Sequence, residues 1–412
     1  MLYDVVIVGG GAAGFFAAIE VATAKPTWKI VIVEKTPKLL TKVSISGGGR
    51  CNVTHHCFEA KPLSKHYPRG EKTLRQLFQH FQAKDVVAWF EKRKVKLKTE
   101  EDGRMFPVTD SSETIVQTFL QEAAAREIEI RTKAEVSSVI FKGNTWQITI
   151  NQKEKIIAKK VLIAIGGNAG VQHYDWLKDT GHTIKPPIPS LFTFNEKEKR
   201  FKELMGISVA QAEVKIEGSK FAYIGPLLIT HWGLSGPAVI KLSAWAAEYL
   251  FERKYTFHAL VNWTGTETEQ SFKTKTEAYR QQHPKQIIAK HPLFNLPQRL
   301  WEKLCEEAAI EPTKIWSEIA LRQSNKLMEQ VLRCRFSILG KTTFKEEFVT
   351  CGGIPLSEIE LPSMQSKVKP NLFFAGEVLD IDGETGGFNF QSAWTTAYMA
   401  AQAIAQIPAS EG

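Results

Sequence analysis

A glycine-rich turn near the start of the chain constrains its fold more than any other feature. The spacing G-x-G-x-x-G at residues 9–14 follows an apolar run of strand length at residues 3–8 and opens a small-residue helical pattern at 12–24. A second apolar run, KIVIVE, ends at Glu34, twenty residues after the last of these glycines. Continuous apolar runs on both sides of a helix are typical of buried parallel strands, so the segment predicts a β-α-β unit.

The residue types of this turn suit the binding of an ADP-containing dinucleotide. Gly9 permits a tight turn, Gly11 lets the backbone approach a pyrophosphate, and Gly14 lets the helix pack closely on the strand. Free N–H groups at the helix N terminus attract phosphates, and Glu34 can accept hydrogen bonds from ribose hydroxyls. A glutamate rather than an arginine argues against a 2′-phosphate on the adenosine. A glycine turn in a ligand-free β-α-β unit is the alternative interpretation.

Later segments of the chain favour FAD over NAD as this dinucleotide. Residues 161–167 form another apolar run, which ends in a small-residue turn, and residues 371–382 read NLFFAGEVLDID, a strand followed by Gly376 and acids. Two-dinucleotide-domain flavoproteins carry such elements, and the next helix N terminus faces the flavin and stabilises its reduced form. The segment 386–389, which precedes an Ala-rich helical pattern at 391–405, suits that role.

Composition excludes several other classes of protein. The 412 residues are 43% hydrophobic and 24% charged, as in globular proteins and unlike disordered or collagen-like chains. The five cysteines fit neither a disulfide framework nor a zinc motif, so we expect a reduced, cytoplasmic protein without a bound metal. No apolar run reaches the roughly 20 residues that span a bilayer, so we expect no membrane partner.

The charge balance is basic, with 53 Lys and Arg against 44 Asp and Glu. Residues 371–412 contain five acids and no Lys or Arg, so the other 370 residues carry a formal +14 rather than the overall +9. Such a surplus is compatible with a nucleic acid, an anionic membrane surface, an anionic small ligand or solubility alone. Solubility is the simplest explanation, and a solvated face likewise explains the six bases between Lys84 and Lys98.

The predicted domain organisation is one dinucleotide-binding domain with two inserts, and the proline cluster at 185–189 is the expected boundary. The predicted parts are 1–188, the first part of the FAD-binding domain; 189–265, a β-rich insert to which 331–350 returns; 266–330, a helical insert; and 351–412, the second part of the FAD-binding domain. Within the first part, we expect a glycine-rich loop at 39–54 and a helical segment at 72–93.

Six sequence blocks together resemble one family, the aminoacetone-oxidase-like (YhiN/BaiN-type) bacterial FAD-binding proteins. The blocks are VVIVGGGAAG at 5–14, SISGGGRCNVTH at 44–55, GRMFPVTDSSETIV at 103–116, THWGLSGPAVI at 230–240, TCGGI at 350–354 and FFAGEVLDIDGETGGFNFQSAWTTAYMAA at 373–401. The resemblance implies an α/β fold, in which a Rossmann-like FAD-binding domain of the two-dinucleotide-binding-domain flavoprotein type is interrupted by a β-barrel-like insert and a small helical insert.

The resemblance also implies a set of cofactor-binding residues. Val136 would meet the adenine through its backbone, residues 48–52 would lie near the flavin and its phosphates, and residues 387–389 would line the flavin pyrimidine edge. The set is Gly9, Gly11, Ala12, Ala13, Gly14, Glu34, Lys35, Gly48, Arg50, Cys51, Asn52, Val136, Ala164, Gly166, Gly376, Glu377, Asp380, Gly387, Phe388 and Asn389. Residues 168–174 depart from the family's Ser/Thr/Gly-rich segment and look bulkier, so the family's substrates are not carried over to this chain.

Three residues are the catalytic candidates, each with a structural alternative. His231, with Trp232 beside it, could cover the flavin as a proton donor, or it could simply form a turn in the insert. Cys51 could place a thiol near the flavin, or even pair with Cys57, although a packing role is favoured. Arg50 could pair with a phosphate or an anionic substrate rather than stand as an exposed cation.

The loop histidines His55 and His56 are further acid/base candidates, but solvated side chains are the simpler interpretation.

These observations predict an FAD-dependent oxidoreductase that acts on an unidentified small molecule, with the flavin accepting or donating a hydride. The sequence has no second G-x-G-x-x-G motif for a dedicated nicotinamide domain, so NAD(P)H is expected only as a transiently bound reductant. Two alternatives stay open: an FAD-containing RNA-binding or RNA-modifying protein, motivated by the basic surplus, and a flavin-bound sensor without turnover.

Overall fold

A computed structural model of the chain describes residues 2–167, 170–342 and 349–406. The fold divides into two compact units, one formed by Met1–Ser190 with Lys345–Gly412 and the other by Leu191–Phe344.

The first unit contains two stretches of the chain. Its first stretch contains β1 (Leu2–Val8), α1 (Ala12–Ala24), β2 (Ile30–Val33), α2 (Thr41–Gly49), β3 (Thr54–His55), α3 (Ala60–Ser64), α4 (Glu71–Leu77), α5 (Ala83–Glu91), β4 (Leu97–Thr99), β5 (Arg104–Pro107), α6 (Ser112–Ala125), β6 (Glu129–Arg131), β7 (Val136–Lys142), β8 (Thr145–Ile150), β9 (Glu154–Ile163), α7 (Asp175–Lys178) and β10 (Lys185–Pro189).

In the sequence, the second unit comes between these two stretches of the first unit. The second unit contains β11 (Thr193–Glu196), β12 (Ser208–Ile216), β13 (Ala222–Thr230), β14 (Gly233–Ser235), α8 (Pro237–Trp245), α9 (Ala247–Glu252), β15 (Thr256–Asn262), α10 (Glu269–Gln282), α11 (Gln298–Glu307), α12 (Leu321–Leu332) and β16 (Cys334–Thr342). The first unit then adds β17 (Thr350–Gly353), β18 (Ile359–Glu360), β19 (Gln365–Ser366), β20 (Leu372–Phe374) and α13 (Phe388–Gln406).

The core of the first unit is a twisted sheet with the strand order β18-β19-β20-β9-β1-β2-β6. Its strands β20, β9, β1, β2 and β6 are parallel, with Val6 opposite both Val31 and Val161. Strands β2 and β20 are fully buried and β1 is largely so, which explains why their sequences are largely apolar. Helices α1 and α13 pack together beside the sheet, where Phe16 lies 5.6 Å from the ring of Trp394. The predicted Rossmann-type fold is confirmed.

Two local predictions in this unit are corrected by the structure. The segment 39–54, expected as a loop, begins as helix α2, whose regular part ends where Ser46 has ψ 150° and Gly47 has φ +59°. The segment 72–93, expected to be one helical region, forms α4 and α5. A new helix start separates them, because Gln82 N–H donates to the Asp85 carboxylate at 2.8 Å in a capping box.

The second unit is built around a closed antiparallel barrel with the strand order β11-β14-β13-β12-β15-β16. A separate hydrophobic core fills it, including Phe194, Trp263 and Phe336. Helices α10, α11 and α12 come between β15 and β16 in the sequence. Helix α11 buries Leu300, Trp301, Leu304 and Cys305 in that core. This arrangement confirms the predicted barrel-like insert with helices.

The chain enters and leaves the second unit at neighbouring points. Thr193, at the start of β11, pairs with Thr342, at the end of β16. In the first unit, the proline-rich strand β10 pairs antiparallel with β17, and Ser190 N–H donates to Val349 O at 2.9 Å. The second unit is therefore a true insertion, whose two ends lie side by side.

Candidate functional site

The three motif glycines of the turn between β1 and α1 have different surroundings: Gly9 and Gly14 pack against backbone atoms, whereas Gly11 borders open space. A Cβ on Gly9, whose φ is +117°, would lie 2.5 Å from Ala164 O, and a Cβ on Gly14 would lie 2.0 Å from Gly9 O. A Cβ on Gly11 would meet no heavy atom of the described residues within 4 Å. The turn thus packs tightly on β9 while leaving free volume at the N terminus of α1, where a pyrophosphate can be held.

Glu34 is held at the end of β2 by the turn beside it. Its carboxylate accepts from Gly10 N–H at 2.9 Å, from Thr36 N–H at 2.8 Å and from the Thr36 hydroxyl at 2.9 Å. A carboxylate has about four lone-pair directions, so these bonds orient it and leave capacity for ribose hydroxyls. The neighbouring residue Lys35 is exposed, and Val136 lies buried at the start of β7.

Glu377 presents a buried acceptor to the same edge of the sheet. One carboxylate oxygen accepts from Gly167 N–H at 3.2 Å and pairs with Lys42. The other oxygen, Oε1, is buried without a hydrogen-bond partner among the described residues, and so is Oγ1 of Thr350. An unpartnered buried acceptor is costly, so its presence fits a ligand that supplies hydroxyl donors, as the ribityl chain of FAD does.

The other predicted residues of this edge have structural partners. Asp380 accepts from Gly352 N–H at 3.1 Å and pairs with Lys185 at 2.6 Å, so it holds β17 and β10. Gly376, with φ +79°, lies so close to α1 that its Cβ would approach the Ala13 side chain to 3.0 Å. A Cβ on Gly166 would make ordinary contacts, 3.7 Å from a carboxylate oxygen of Glu377 and 3.9 Å from Nζ of Lys42.

The segment before α13 brings together predicted residues that are far apart in sequence. A Cβ on Gly387 would lie 2.5 Å from Thr54 O, and Gly387 N–H donates to the Asn52 amide oxygen at 2.9 Å. Asn389 closes the loop by accepting from Gly383 N–H at 2.8 Å. The first intrahelical bond runs from Gln391 N–H, so the N–H groups of 388–390 lie at the open helix end, where negative charge is stabilised.

Two histidines stack on the first residue of α13. The ring of His66 lies 4.1 Å from that of Phe388, and the ring of His55 lies 4.7 Å from it. His66 Nδ1 is 3.3 Å from the carboxylate of Glu384, which is buried, and Glu384 N–H donates to His66 O. His55 was a sequence candidate, whereas His66 was missed because no motif marks it and its partner lies 318 positions away.

Arg50 and Cys51 have defined surroundings in the glycine-rich segment. Arg50 donates to Glu100 at 2.6 Å, which raises the pKa of the guanidinium, and its guanidinium lies 4.1 Å from the centroid of the Phe106 ring. Cys51 is fully buried, and burial raises the pKa of its thiol to about 12. A thiol of this kind stays protonated at neutral pH, which favours packing over nucleophilic chemistry. Cys51 and the half-buried Cys57 are both free thiols.

His231 lies in the second unit, at the turn between β13 and β14. Its side chain is exposed, and its ring is 4.2 Å from that of Trp232. Its role over the flavin stays a prediction.

In the first unit, Gly48 has φ +68° with no heavy atom of the described residues within 4 Å of its Cβ position.

The fold and this set of groups define the class of protein. The space beside Gly11 fits the pyrophosphate of FAD, and the oriented carboxylate of Glu34 fits its adenosine ribose. The unpartnered oxygen of Glu377 fits the ribityl chain, and the N terminus of α13 fits the flavin. The protein is an FAD-dependent oxidoreductase with a Rossmann-type cofactor domain.

The chain belongs to the HI0933-like family, whose Rossmann-domain profile matches residues 3–403. It is 27% identical over 414 residues to the ribosomal RNA dihydrouridine synthase of Escherichia coli K12, with 97% of each chain covered. It is 24% identical over 413 residues to a 3-dehydro-bile acid delta(4,6)-reductase of Clostridium scindens, with 98% of this chain and 99% of the relative covered. The resemblance predicted from the sequence blocks is confirmed.

A solved structure shares the fold at low identity. The 3-ketosteroid-delta4-(5alpha)-dehydrogenase of Rhodococcus jostii RHA1 superposes with a TM-score of 0.51 at 13% identity, covering 98% of this chain and 97% of the other. Within the described residues, none of the helices combines the length and the apolar character needed to cross a bilayer. In the same ranges, no three His, Cys, Asp or Glu side chains are grouped to hold a metal ion.

Proposed function

We propose that this protein is an FAD-dependent reductase that adds a hydride and a proton across a carbon–carbon double bond next to a carbonyl. Two relatives with unlike substrates, the E. coli and C. scindens proteins, have names that both describe the loss of such double bonds. Both alignments span almost the whole of each chain, so the common chemistry rather than either substrate is the part best carried over.

The observation that carries the proposal is the stack of His66 on Phe388 at the N terminus of α13. When bound, FAD supplies the hydride. The chain's own task is then to stabilise negative charge with the N–H groups that open α13 and to hold a proton for the second carbon. An ionised carboxylate only accepts hydrogen bonds, so Glu384 fixes the proton of His66 on Nδ1 and leaves Nε2 to exchange one.

The substrate is one of two classes. A small enone or a related molecule is the first, as the sequence predicted. A uridine in RNA is the second, and the basic surplus of the chain together with the E. coli relative favours it. NAD(P)H, bound transiently, is the proposed source of electrons in either case.

Anaerobic spectroscopy of the FAD-loaded protein tests the reaction class. NADH or NADPH should bleach the flavin absorbance, and then a cyclic enone, a steroid enone or a uridine-containing rRNA transcript should restore it. The proposal fails if a donor reduces the flavin and no acceptor of either class reoxidises it faster than buffer alone.

The role of His66 has its own test within the same assay. His66→Gln should slow reoxidation by the accepted substrate about 100-fold, as expected for loss of a general acid, and change its pH profile, while flavin reduction by NAD(P)H stays near normal. His56→Gln is the matched control, because His56 packs on Phe58 outside the stack. Equal effects of the two substitutions on reoxidation would assign the proton to another group.

A further inference from the structure

Much of the basic surplus of the chain lies in one short segment. Residues 72–98 contain eight Lys and Arg against two Asp and Glu, a net +6 of the overall +9. The segment comprises most of α4, all of α5 and the approach to β4. This concentration exceeds what solubility requires, since a soluble surface normally intersperses both signs of charge.

Six of these cations form what we name the basic strip: Lys72, Arg75, Lys84, Lys92, Lys94 and Lys96. All six are exposed, and none has a carboxylate within 4 Å among the residues that the structure describes. The two other bases of the segment are paired, Arg93 with Glu122 and Lys98 with Asp110. Unpaired like charges repel each other, so such a cluster costs stability unless an anionic partner neutralises it.

Three of these exposed cations, Lys72, Arg75 and Lys84, lie on α4 and α5, and the other three follow the end of α5. Leu74 and Leu77 of α4 and Val86 and Phe90 of α5 are buried, and both helices pack on α13. Lys72 and Arg75 are three positions apart and so share one side of α4.

The basic strip begins at Lys72, six positions after His66 of the proposed reaction centre. His66 stacks on Phe388, and Tyr67 donates from its hydroxyl to Phe388 O at 2.7 Å. Arg69, which follows, is paired with the buried carboxylate of Asp382. The chain therefore runs from the site at the N terminus of α13 directly into α4, which itself packs on α13, so the first cations of the strip belong to a helix in contact with the element that carries the site.

We propose that the basic strip binds the phosphate backbone of an RNA, and so selects structured RNA as the substrate class. The inference rests on the proposed function only in placing a uridine at the reaction centre. Six exposed cations that form no ion pair with the described residues match the repeated, evenly spaced charges of a nucleic acid, which Lys and Arg neutralise with release of counterions. A small neutral enone would make no use of them.

The test measures RNA binding by the FAD-loaded protein without turnover. The probe is a fluorescein-labelled RNA hairpin with uridines in its loop, followed by fluorescence anisotropy at several salt concentrations. The strip variant is Lys72→Gln, Arg75→Gln, Lys84→Gln. The control carries the same charge change at three exposed lysines of the second unit that form no ion pair within the described part of the chain, Lys273→Gln, Lys285→Gln, Lys326→Gln. Thermal unfolding and flavin absorbance establish that both variants are folded and loaded.

The strip variant should bind the hairpin at least about tenfold more weakly than the wild type, and the control should not. Its slope of log K against log salt should also be smaller by about 2, since each lost phosphate contact removes about 0.7–0.9. Equal binding by both variants overturns the proposal. The proposal is also overturned if the wild type binds phosphatidylcholine vesicles that contain phosphatidylserine and does not bind the hairpin, because the partner is then a membrane surface.

The binding assay and the reductase assay can fail separately. If the strip variant loses RNA binding while RNA never reoxidises the flavin of the wild type, the strip is an RNA-binding surface and RNA is not the electron acceptor. If RNA reoxidises the flavin equally well in the wild type and the strip variant, the reductase stands and the strip is not its docking surface.

Discussion

At the scale of single residues, the glycine turn separates a folding role from a binding role. Alanine at Gly14 would bring a Cβ to 2.0 Å from Gly9 O, so Gly14→Ala should lower the free energy of unfolding by about 2–4 kcal/mol and remove FAD. Alanine at Gly11 meets open space at φ −96°, so Gly11→Ala should keep the stability of the apoprotein and still lose FAD affinity. Denaturant unfolding and flavin titration measure both.

A Gly11→Ala protein that binds FAD as tightly as the wild type would show that the pyrophosphate does not lie against this turn.

Cysteine chemistry is also decided residue by residue. Burial holds the pKa of Cys51 at about 12, whereas Cys57 is only half-buried. We expect a thiol reagent at neutral pH to modify Cys57 in the native protein and Cys51 only after unfolding, as peptide mass spectrometry would reveal. Cys51→Ala should retain flavin reduction, and loss of reduction in a folded, FAD-loaded variant would contradict the packing role.

At the scale of elements, β9 contains a buried lysine whose titration is coupled to stability. Lys160 donates to Ile404 O, and burial lowers its pKa from 10.5 to about 8. As the pH rises, the native state therefore loses the Lys160 proton near pH 8, whereas the unfolded state keeps it until about pH 10.5. Between these two pH values the unfolded state binds more protons than the native state. Stability must then rise with pH across that window, because unfolding takes up protons.

The matched variants isolate this effect. Between pH 8 and 10.5, the free energy of unfolding of the wild type should gain up to about 3 kcal/mol relative to Lys160→Met. Lys155→Met, which changes an exposed lysine of the same strand, should keep a constant difference from the wild type. A constant difference for both variants would mean that Lys160 titrates normally in the native state.

The same scale explains which elements were predictable. The strands β1 and β2 and helix α1 follow from local patterns, because buried parallel strands must be apolar throughout. The break between α4 and α5 was missed because the apolar spacing of 72–93 continues through it, and only the Gln82 capping box marks the new start. The helical start of α2 was missed because the glycines of its last turn dominate the pattern.

At the scale of the whole molecule, the insertion should be separable. The ends of the barrel unit meet at Thr193 and Thr342, and Ser190 bonds to Val349 across the corresponding gap in the first unit. We expect residues 191–342 alone to unfold cooperatively, because they enclose their own core in a closed barrel. We also expect the first unit, with a short Gly-Ser linker between 190 and 349, to bind FAD.

Calorimetry of the isolated barrel and flavin titration of the linked first unit measure these outcomes. A barrel fragment without a cooperative transition, or a linked first unit that is folded and does not bind FAD, would show that the units depend on one another.

The sequence by itself determined the cofactor domain of this protein, since the spacing of Gly9, Gly11, Gly14 and Glu34 reflects contacts made within some twenty-five residues of chain. Such contacts are local enough to leave a motif. Only the tertiary structure decided that His66 meets Glu384 across 318 positions and that Glu377 retains an unpartnered oxygen. These features depend on which distant segments the parallel sheet brings to one edge, and no local spacing encodes that choice.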